Sequence, residues 1–340
     1  MIHCLNPNCP KPVDPLNANG RFCRNCGLPL LLQGRYRLIK LLGKGGFGKT
    51  FEVDDCGRRK VLKVLLKNYS QAVSLFQREA EVLSYLHHPG IPRVEPNAYF
   101  TVLPTNSQKP LHCLVMEKIE GSTLSQWLAA HGNQPISQEQ AINWLEQLVE
   151  ILEQLHKQHY FHRDIKPSNI MLKPNGQLVL IDFGAVREVT ETYMAKLAQD
   201  KITGVISPGF TPPEQTEGRA VPQSDFFSLG RTFVYLLTGI PPVKFPEDRK
   251  TGKLIWRINA PQISKSLAGL IDYLMAPFPG KRPHNVQEIL NCIAEIKAIP
   301  HYYKPASITS PAPKEQELRD NTALDLAQST TNALPVEFET

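Results

Sequence analysis

Hydrophobic and polar residues alternate over several short segments in the first third of the chain. Alternation with a period of two predicts β-strands, because successive side chains of a strand point to opposite faces of a sheet. Over 72–87 the apolar spacing changes to three and four residues, which predicts one amphipathic helix among the strands. The predicted strands cover 36–42, 49–53, 61–66, 98–103 and 111–117.

Beyond Gly121 the pattern becomes mostly helical. Segment 138–156 has a broad apolar face, which predicts a well-buried helix. Ser137 stands before it as an N-cap, and Gln140 follows three residues later as in a capping box. Two short strands are predicted at 170–172 and 178–181, and further helices at 224–238, 264–275 and 285–297. A small strand-rich lobe followed by a larger helical lobe predicts an α+β fold.

The same pattern divides the chain into a head, two lobes and a tail. The head is rich in Cys, Pro and Asn and cannot form a core by itself. The tail is rich in Pro, Ser and Thr, and its last 27 residues carry two basic and six acidic side chains, a net charge of −4. That composition predicts disorder. The predicted parts are a head at 1–33, a domain at 34–297 with lobes at about 34–118 and 122–297, and a tail at 298–340.

Composition excludes several classes of protein. The 340 residues are 41% hydrophobic and 21% charged, which is ordinary for a soluble protein. No apolar run reaches the roughly 18 residues that a transmembrane helix needs, and the first residues lack the apolar stretch of a secretory signal. We therefore expect a cytoplasmic protein. The net charge of +6 comes from scattered residues, so no nucleic-acid partner is expected.

Four of the seven cysteines fall within the first 26 residues, as Cys4, Cys9, Cys23 and Cys26. They form a C-x4-C and a C-x2-C pair on either side of a thirteen-residue loop. Four thiolates can close a tetrahedral Zn²⁺ site, which is structural because it has no open position. Free thiols or a redox pair are the alternatives. The head could then dock a partner or sense redox state, because oxidised thiolates release metal.

A glycine-rich stretch at 43–48 reads Gly43, Lys44, Gly45, Gly46, Phe47 and Gly48. Glycine lets backbone N–H groups approach phosphate, although a hairpin without a ligand has the same composition. The stretch joins two predicted strands, so it is not the strand–loop–helix of a dinucleotide fold, and it lacks the Gly-Lys-Ser/Thr ending of a P-loop. The arrangement indicates a lid over a nucleotide.

Lys63 lies within an apolar strand, where it either points to water at a sheet edge or aims at phosphate from a cleft. A cation in a cleft needs an anionic partner. Glu79 shares the inward face of the following helix with Phe76 and Leu83, whereas Glu81 points away. We therefore predict a Lys63–Glu79 pair.

The stretch 162–169 places charged and amide side chains where a core helix ends. Asp164 can orient or deprotonate an attacking hydroxyl, and Lys166 can neutralise a transferred phosphoryl group. Asn169 offers an amide oxygen, and Asp182 a carboxylate after the next strand. Magnesium prefers few protein oxygens plus substrate phosphate, which predicts a Mg²⁺ site at these last two residues.

With these motifs the chain resembles eukaryotic-type serine/threonine protein kinases, and the resemblance covers about 34–297. The matching residues are Gly43, Gly45, Gly48, Lys63, Glu79, His162, Arg163, Asp164, Asn169, Asp182, Phe183 and Gly184. Pro212-Pro213-Glu214 stands where the family has Ala-Pro-Glu. Asp225 resembles the anchor of the catalytic loop, and Arg282 the buried partner of Glu214. The cysteine head resembles that of bacterial kinases of cyanobacterial type.

The resemblance implies a two-lobed kinase fold and transfer of phosphate from ATP, with Mg²⁺ or Mn²⁺, to Ser and Thr of proteins. It implies that Lys63 holds the α and β phosphates and that Met116 lies at the back of the adenine pocket. The backbones of Glu117 and Ile119 would bond adenine. Thr50 and Pro212 depart from the usual residues without removing a phosphate, metal or proton-handling group. A pseudokinase scaffold and a metal-dependent interaction module are the alternatives.

The long segment after Asp182 carries several hydroxyl groups, and the resemblance implies regulation there. Thr203 lies about where the family has its primary phosphosite, and Ser207 resembles the residue that faces the catalytic loop. Arg163 and Arg187 could together bind a phosphorylated side chain. We predict autophosphorylation of Thr203, with a segment ordered by packing alone as the alternative.

Overall fold

The computed structural model describes residues 2–45, 48–104, 107–188 and 206–299. Within these ranges a strand-rich lobe is followed by a helical lobe, so the predicted α+β, two-lobed fold is confirmed. Among the helices of the described ranges, none combines the length and the hydropathy that crossing a lipid bilayer requires.

A six-stranded antiparallel sheet forms the first lobe, with the strand order β1-β2-β3-β4-β6-β5. Alternate residues of its strands are almost inaccessible to solvent, as Leu38, Val53 and Leu62 illustrate. The sheet therefore has one fully buried face, as the period-two pattern predicts. Its strands are β1 (Leu31–Leu32), β2 (Tyr36–Lys44), β3 (Gly48–Asp55), β4 (Arg58–Leu65), β5 (Tyr99–Val102) and β6 (Leu111–Glu117).

Helix α1 (Ser70–Tyr85) packs against the opposite side of this sheet. The ring of Phe76 lies 6.3 Å from that of Tyr99 on β5. Glu79, one turn further along α1, is buried on the same side of the helix. The helix thereby turns a carboxylate toward the strand that carries Lys63.

The cysteine head joins the edge of the sheet. Its β1 pairs with the start of β2, with Leu31 opposite Arg37, and the N–H of His3 donates to the carbonyl of Leu38 at 3.0 Å. The ring of His3 lies 5.6 Å from that of Phe51 on β3. Residues 2–33 thus share the core of the strand-rich lobe, in agreement with the expectation that they cannot form a core alone.

The second lobe is built around two long helices, α3 (Gln138–Lys157) and α5 (Gln223–Thr238). Helix α5 is buried on nearly every side, whereas α3 buries one broad apolar face and leaves Asn143 and Glu150 exposed. Its other helices are α2 (Leu124–Ala130), α4 (Pro213–Thr216), α6 (Lys265–Leu274) and α7 (Val286–Ala298). Its short strands are β7 (Ser122–Thr123), β8 (Tyr160–Phe161), β9 (Ile170–Leu172), β10 (Leu178–Leu180) and β11 (Arg187–Glu188).

The structure confirms the predicted strands and helices to within a few residues at each end. The N-cap at Ser137 is also confirmed, since its hydroxyl accepts from the N–H of Gln140 at 3.2 Å. Two short helices were missing from the prediction: α2, whose seven residues bury only two side chains, Leu124 and Leu128, and the four-residue α4. The available signal for α2 was the capping box of Thr123 and Gln126, in which both reciprocal hydrogen bonds form.

Candidate active site

A buried carboxylate on α5 holds the stretch 162–169 in place. Asp225 accepts hydrogen bonds from the backbone N–H groups of His162 at 2.8 Å and Arg163 at 2.7 Å. The ring of His156, at the end of α3, bonds the same carboxylate at 3.0 Å. The predicted anchoring role of Asp225 is confirmed, and His156 is a partner that the sequence analysis missed. Arg163 adopts a left-handed backbone conformation, with φ of 69°, which this bonding holds in place.

Asp164 is surrounded by donors. Lys166 Nζ lies 2.7 Å and 3.0 Å from its two carboxylate oxygens, and the hydroxyl of Ser207 donates to it at 2.7 Å. The amide nitrogen of Asn169 donates to the Asp164 carboxylate and to its backbone carbonyl, both at 2.9 Å. Lys166, Asn169 and Ser207 thus all contact the carboxylate of Asp164. The amide nitrogen of Asn169 is engaged, so its oxygen is the atom that can coordinate a cation.

The segment with Asp182 is attached to the same stretch. The N–H of Ile181 donates to the carbonyl of Asn169 at 2.8 Å, which brings the two predicted metal ligands into neighbouring chain segments. Asp182 has a φ of 65°, a left-handed conformation that non-glycine residues adopt at a cost. The next residue, Phe183, is buried, with its ring 5.0 Å from that of His162.

Lys63 joins two carboxylates from different parts of the chain. Its Nζ lies 2.5 Å from Glu79 and 2.8 Å from Asp182. The predicted pairing with Glu79 instead of Glu81 is thus present. The Glu79 side chain is almost fully buried, whereas half of the Asp182 side chain is exposed.

These contacts determine which groups are charged. The positive charge of Lys63 lowers the pKa of Asp182 to about 2, against a smaller opposing effect of burial. Burial would lower the pKa of Lys63, but the two carboxylates outweigh it and raise that pKa. For Glu79 burial is the largest effect and raises its pKa, and the Lys63 cation opposes this rise. At neutral pH the site therefore holds a cation beside an ionised, half-exposed carboxylate.

The glycine-rich stretch forms the turn between β2 and β3. Gly43 and Lys44 are the last residues of β2, and the N–H of Gly45 donates to the carbonyl of Gly48 at 2.9 Å. A Cβ on Gly48 would lie 2.0 Å from the carbonyl oxygen of Val64, so this position requires glycine. Gly46 and Phe47 lie outside the described residues.

A cavity of about 540 Å³ connects this turn with the stretch 162–169. Its walls include Gly45, Gly48, Lys63, Glu79, Asp164, Asp182 and Gly184. Residues from both lobes thus face one space, which is lined by cationic and anionic side chains.

The predicted adenine-pocket residues lie where the two lobes are connected. Met116 is buried opposite Val61 in the sheet, and Ile119 is buried three residues later. The N–H of Glu117 donates to the carbonyl of Arg93 at 2.8 Å, and its carboxylate accepts from the N–H of Arg93 at 3.0 Å. These two hydrogen bonds to the neighbouring loop orient the peptide of Glu117. That these three residues hold adenine stays a prediction.

Only part of the predicted regulatory set can be located. Ser207 is buried and bonds Asp164, and its hydroxyl also accepts from Lys166 at 2.9 Å. The guanidinium of Arg163 is buried and donates to the carbonyl of Ala185 at 3.4 Å. Thr203 and the side chain of Arg187 lie outside the described residues, so phosphorylation at Thr203 stays a prediction.

The predicted buried pair of Glu214 and Arg282 is present. Arg282 is fully buried, and its two terminal nitrogens donate to the Glu214 carboxylate at 2.6 Å and 3.1 Å. Its guanidinium also lies over the ring of Phe227, 4.8 Å from the centroid. The pair ties α4, which follows the Ser207 turn, to the chain before α7.

The four head cysteines form one cluster, with all four sulfur atoms within 4.8 Å of one another. Cys4 and Cys26 are 3.4 Å apart, and Cys9 and Cys23 are 3.7 Å apart. Tetrahedral Zn–S bonds of 2.3 Å place sulfurs about 3.8 Å apart, so the cluster fits a zinc ion. The sequence analysis missed Asn17, a buried residue whose amide donates to Cys23 Sγ at 3.5 Å and accepts from the N–H of Arg24 at 3.1 Å. In the sequence, the only indication of this contact is the position of Asn17 in the loop between the two cysteine pairs.

Comparison with known proteins agrees with this site. The protein kinase domain model matches residues 36–293, and the chain belongs to the protein kinase family. It is 36% identical over 315 residues, 84% of this chain, to serine/threonine-protein kinase F of Synechocystis sp.. It is 40% identical over 277 residues, 77% of this chain, to serine/threonine-protein kinase PknA of Nostoc sp.. Serine/threonine-protein kinase B of Synechocystis sp. is 33% identical over 309 residues, 86% of this chain. The alignments cover 62%, 47% and 52% of those three proteins.

Proposed function

We propose that this protein is an ATP-dependent serine/threonine protein kinase. The observation that carries the proposal is the single cavity shared by Lys63, Asp164 and Asp182. A phosphoryl donor needs a cation and a metal site, and an acceptor hydroxyl needs a positioned carboxylate. The relatives named as serine/threonine kinases support the same activity.

In this proposal each side chain has one task. Asp164 accepts the proton of an incoming Ser or Thr hydroxyl or orients that hydroxyl, in the place where it now accepts from Ser207. Lys166, 2.7 Å from Asp164, neutralises charge on the group in transfer. Lys63 holds ATP phosphates, and Glu79 keeps the Lys63 ammonium pointed into the cavity.

Asn169 and Asp182 are the residues that would hold Mg²⁺. They fit this ion, because Asp182 is ionised and half exposed and the Asn169 amide is turned by its bonds to Asp164. The bound ion would neutralise phosphate charge as it develops during transfer. Mn²⁺ has similar ligand preferences and would suit the same residues.

Radiolabelled ATP tests the activity. The purified protein with ATP and Mg²⁺ should label Ser and Thr of a protein substrate, as phosphoamino-acid analysis of the product would reveal. Asp164→Asn should lower the rate by at least about 10²-fold with ATP binding retained, because it removes the carboxylate and not the nucleotide site. Lys63→Met should weaken ATP binding as well.

Retained ATP binding without transfer to any protein would favour the pseudokinase alternative. Labelling of tyrosine alone would contradict the serine/threonine assignment.

We also propose that Cys4, Cys9, Cys23 and Cys26 bind one structural zinc ion. The fit of their sulfur positions to tetrahedral geometry supports this. Metal analysis should find about one zinc per chain, and the double variant Cys23→Ser, Cys26→Ser should lose it. Cys56→Ser is the matched control, since Cys56 is exposed and lies outside the cluster. Equal zinc content in all three proteins would contradict the proposal.

A further inference from the structure

Exposed apolar side chains are concentrated in one region of the helical lobe. Six large hydrophobic residues are exposed in the described part of this lobe: Ile206, Val243, Ile255, Ile258, Phe278 and Ile299. Val243, Ile255 and Ile258 belong to segment 243–258, and Phe278 follows Pro277, which lies close to Gly252 of that segment. Ile258 is 87% exposed and Phe278 is 72% exposed, values unusual for such side chains in a folded domain.

Segment 243–258 folds back as a hairpin that is firmly attached to the lobe. The N–H of Ile255 donates to the carbonyl of Pro246 at 2.9 Å, and the N–H of Asp248 to that of Lys253 at 2.8 Å. Between the two exposed isoleucines, Trp256 is fully buried and its indole donates to Asp272 at 2.7 Å. The exposure of Ile255 and Ile258 is therefore a property of a fixed surface.

Two contacts define the ends of this surface. A Cβ on Gly209 would lie 2.7 Å from Val243, so Val243 packs on the turn that follows Ser207. A Cβ on Gly252 would lie 3.2 Å from Pro277, so the hairpin tip packs beside Phe278. We call Val243, Ile255, Ile258 and Phe278 the apolar ridge.

The ridge is bordered by basic residues. Lys244, Arg249, Lys250 and Lys253 are exposed, and in the part of the chain that the structure describes no acidic side chain lies within ion-pair distance of them. The two local acids have other partners. Glu247 pairs with Arg231 at 2.8 Å, and Asp248 accepts from the N–H groups of Lys250 and Thr251 inside the hairpin. The surface thus offers apolar contacts within a positive potential.

One end of the ridge reaches the proposed phosphate-acceptor site. Val243 touches the turn at Gly209, and Ser207, two residues earlier, bonds Asp164 at 2.7 Å. A protein that lies on the ridge would have its chain close to the carboxylate that receives the hydroxyl. The basic residues favour a partner rich in Asp and Glu, because the charges are complementary. The exposed isoleucines favour a partner in which aliphatic or aromatic residues stand beside those acidic ones.

We infer that the apolar ridge is a docking surface for protein substrates, and that it binds a substrate segment in which acidic residues stand beside apolar ones. The inference rests on the proposed kinase function. It assigns the selection of substrates to residues that lie outside the cavity and take no part in phosphate transfer.

Competing substrates test this assignment. The probes are dephosphorylated α-casein, an acidic protein, and a short Ser/Thr peptide without acidic or large apolar residues. The double variant Ile255→Asp, Ile258→Asp should raise the KM for casein about tenfold, because it places like charge in the docking surface and removes apolar contact. The KM for ATP and for the short peptide should stay within about twofold of wild type.

A second variant addresses the charge. Lys250→Glu with Lys253→Glu leaves the apolar residues in place and should also raise the KM for casein, with a weaker salt dependence than wild type. The matched control is Leu103→Asp, at an aliphatic residue of the strand-rich lobe whose exposure of 62% lies between that of Ile255, 51%, and that of Ile258, 87%. It should leave every KM unchanged, and unchanged thermal unfolding would establish that each variant is folded.

A binding assay separates the docking surface from the catalytic proposal. Asp164→Asn protein should bind labelled casein in a fluorescence-anisotropy titration, and the ridge substitutions in that background should weaken binding about tenfold. If wild type transfers no phosphate but this binding difference holds, the kinase proposal fails and the docking surface survives.

Equal binding with and without the ridge substitutions would overturn the inference, as would equal loss of activity on casein and peptide. A change from dimer to monomer in the ridge variants would also overturn it, because the surface would then bind a second copy.

Discussion

A single buried carboxylate, Asp225, anchors the backbone of the stretch 162–169. It receives the N–H groups of His162 and Arg163 while Arg163 is in a left-handed conformation. A backbone held in that region costs free energy, and charge-assisted hydrogen bonds are strong enough to offset the cost. By fixing His162 and Arg163, the Asp225 carboxylate positions the next residue, Asp164, without touching it.

Substitution of Asp225 should expose this role. Asp225→Asn keeps the size of the side chain but turns one acceptor oxygen into a donor facing a backbone N–H group. We expect the free energy of unfolding to fall by about 3 kcal/mol, as for loss of a buried charged hydrogen-bond partner. Urea unfolding measures the change. Glu81→Gln, at an exposed position, should change stability by less than about 0.5 kcal/mol. Equal effects of the two substitutions would contradict the anchoring role.

The Lys63–Asp182 pair should give stability a defined pH dependence. The pKa of Asp182 is lowered from 3.8 to about 2 in the folded protein by the Lys63 cation. A lowered carboxyl pKa stabilises the fold above the unfolded pKa, and this stabilisation is lost as pH falls toward the folded pKa. The difference in unfolding free energy between wild type and Asp182→Asn should therefore be constant above about pH 5 and shrink below pH 4. Urea unfolding across this range measures it, and a difference that does not vary with pH would count against the pair.

At the scale of whole elements, side chains that cross between segments set the arrangement of the helical lobe. Arg282 is fully buried and joins Glu214 on α4 to the chain before α7. Its neighbour on the other side is the ring of Phe227 on α5. One guanidinium thus connects three elements that are distant in sequence.

Breaking this connection should be costly. Arg282→Ala leaves the largely buried Glu214 carboxylate with the Ser224 hydroxyl but without its cationic partner, and we expect a loss of about 3 kcal/mol in unfolding free energy. Arg219→Ala is the matched control, because Arg219 and Glu217 form an exposed pair worth less than about 1 kcal/mol. Thermal or urea unfolding compares the two. A similar loss of unfolding free energy in both variants would contradict the prediction that the buried Arg282–Glu214 pair contributes more than an exposed pair.

The head extends the six-stranded sheet, so removal of a bound metal should change the stability of particular strands. Because β1 and His3 bond to β2, loss of a bound zinc should loosen this edge first. Hydrogen–deuterium exchange after chelation should rise in residues 2–38 and stay unchanged in α5. Uniform exchange throughout the chain, or none, would contradict a structural metal confined to the head.

At the scale of the whole molecule, the site exists only because two lobes face each other. Lys63 and Glu79 come from the strand-rich lobe, and Asp164 and Asp182 come from the helical lobe. Each lobe has its own apolar core residues, yet the ion pair of Lys63 with Asp182 crosses between them at 2.8 Å. A ligand bound in the cavity would contact both lobes.

Nucleotide binding should therefore stabilise the protein as one unit. With Mg²⁺ and a non-hydrolysable ATP analogue at about 100 times its Kd, the unfolding free energy should rise by about 2.7 kcal/mol. Differential scanning fluorimetry should detect a single transition at higher temperature. Lys63→Met should abolish most of this shift, whereas Leu103→Asp should retain it. A shift that survives Lys63→Met would contradict nucleotide binding in the cavity.

Sequence periodicity was sufficient for most elements because each buried helix or strand repeats its apolar residues at its own period. It failed for α2, where seven residues provide too few repeats and the capping box of Thr123 and Gln126 is the better signal. The partners His156 and Asn17 were also missed. Neither residue belongs to a motif, and each acquires its role only through a contact with a residue distant in sequence.

By itself the sequence determined the order of the lobes, the glycine-rich turn, the acidic and basic residues of the catalytic stretch and the pairing of Lys63 with Glu79. These features depend on local periodicity and on short motifs, which neighbouring residues encode. Only the tertiary structure decided that the head completes the sheet and that Asp225 receives two backbone N–H groups. The resemblance already implied that Ser207 faces the loop with Asp164, but only the tertiary structure gives the hydrogen bond between them and leaves the apolar ridge exposed. Burial and long-range contacts are set when distant segments pack, so no local pattern in the chain specifies them.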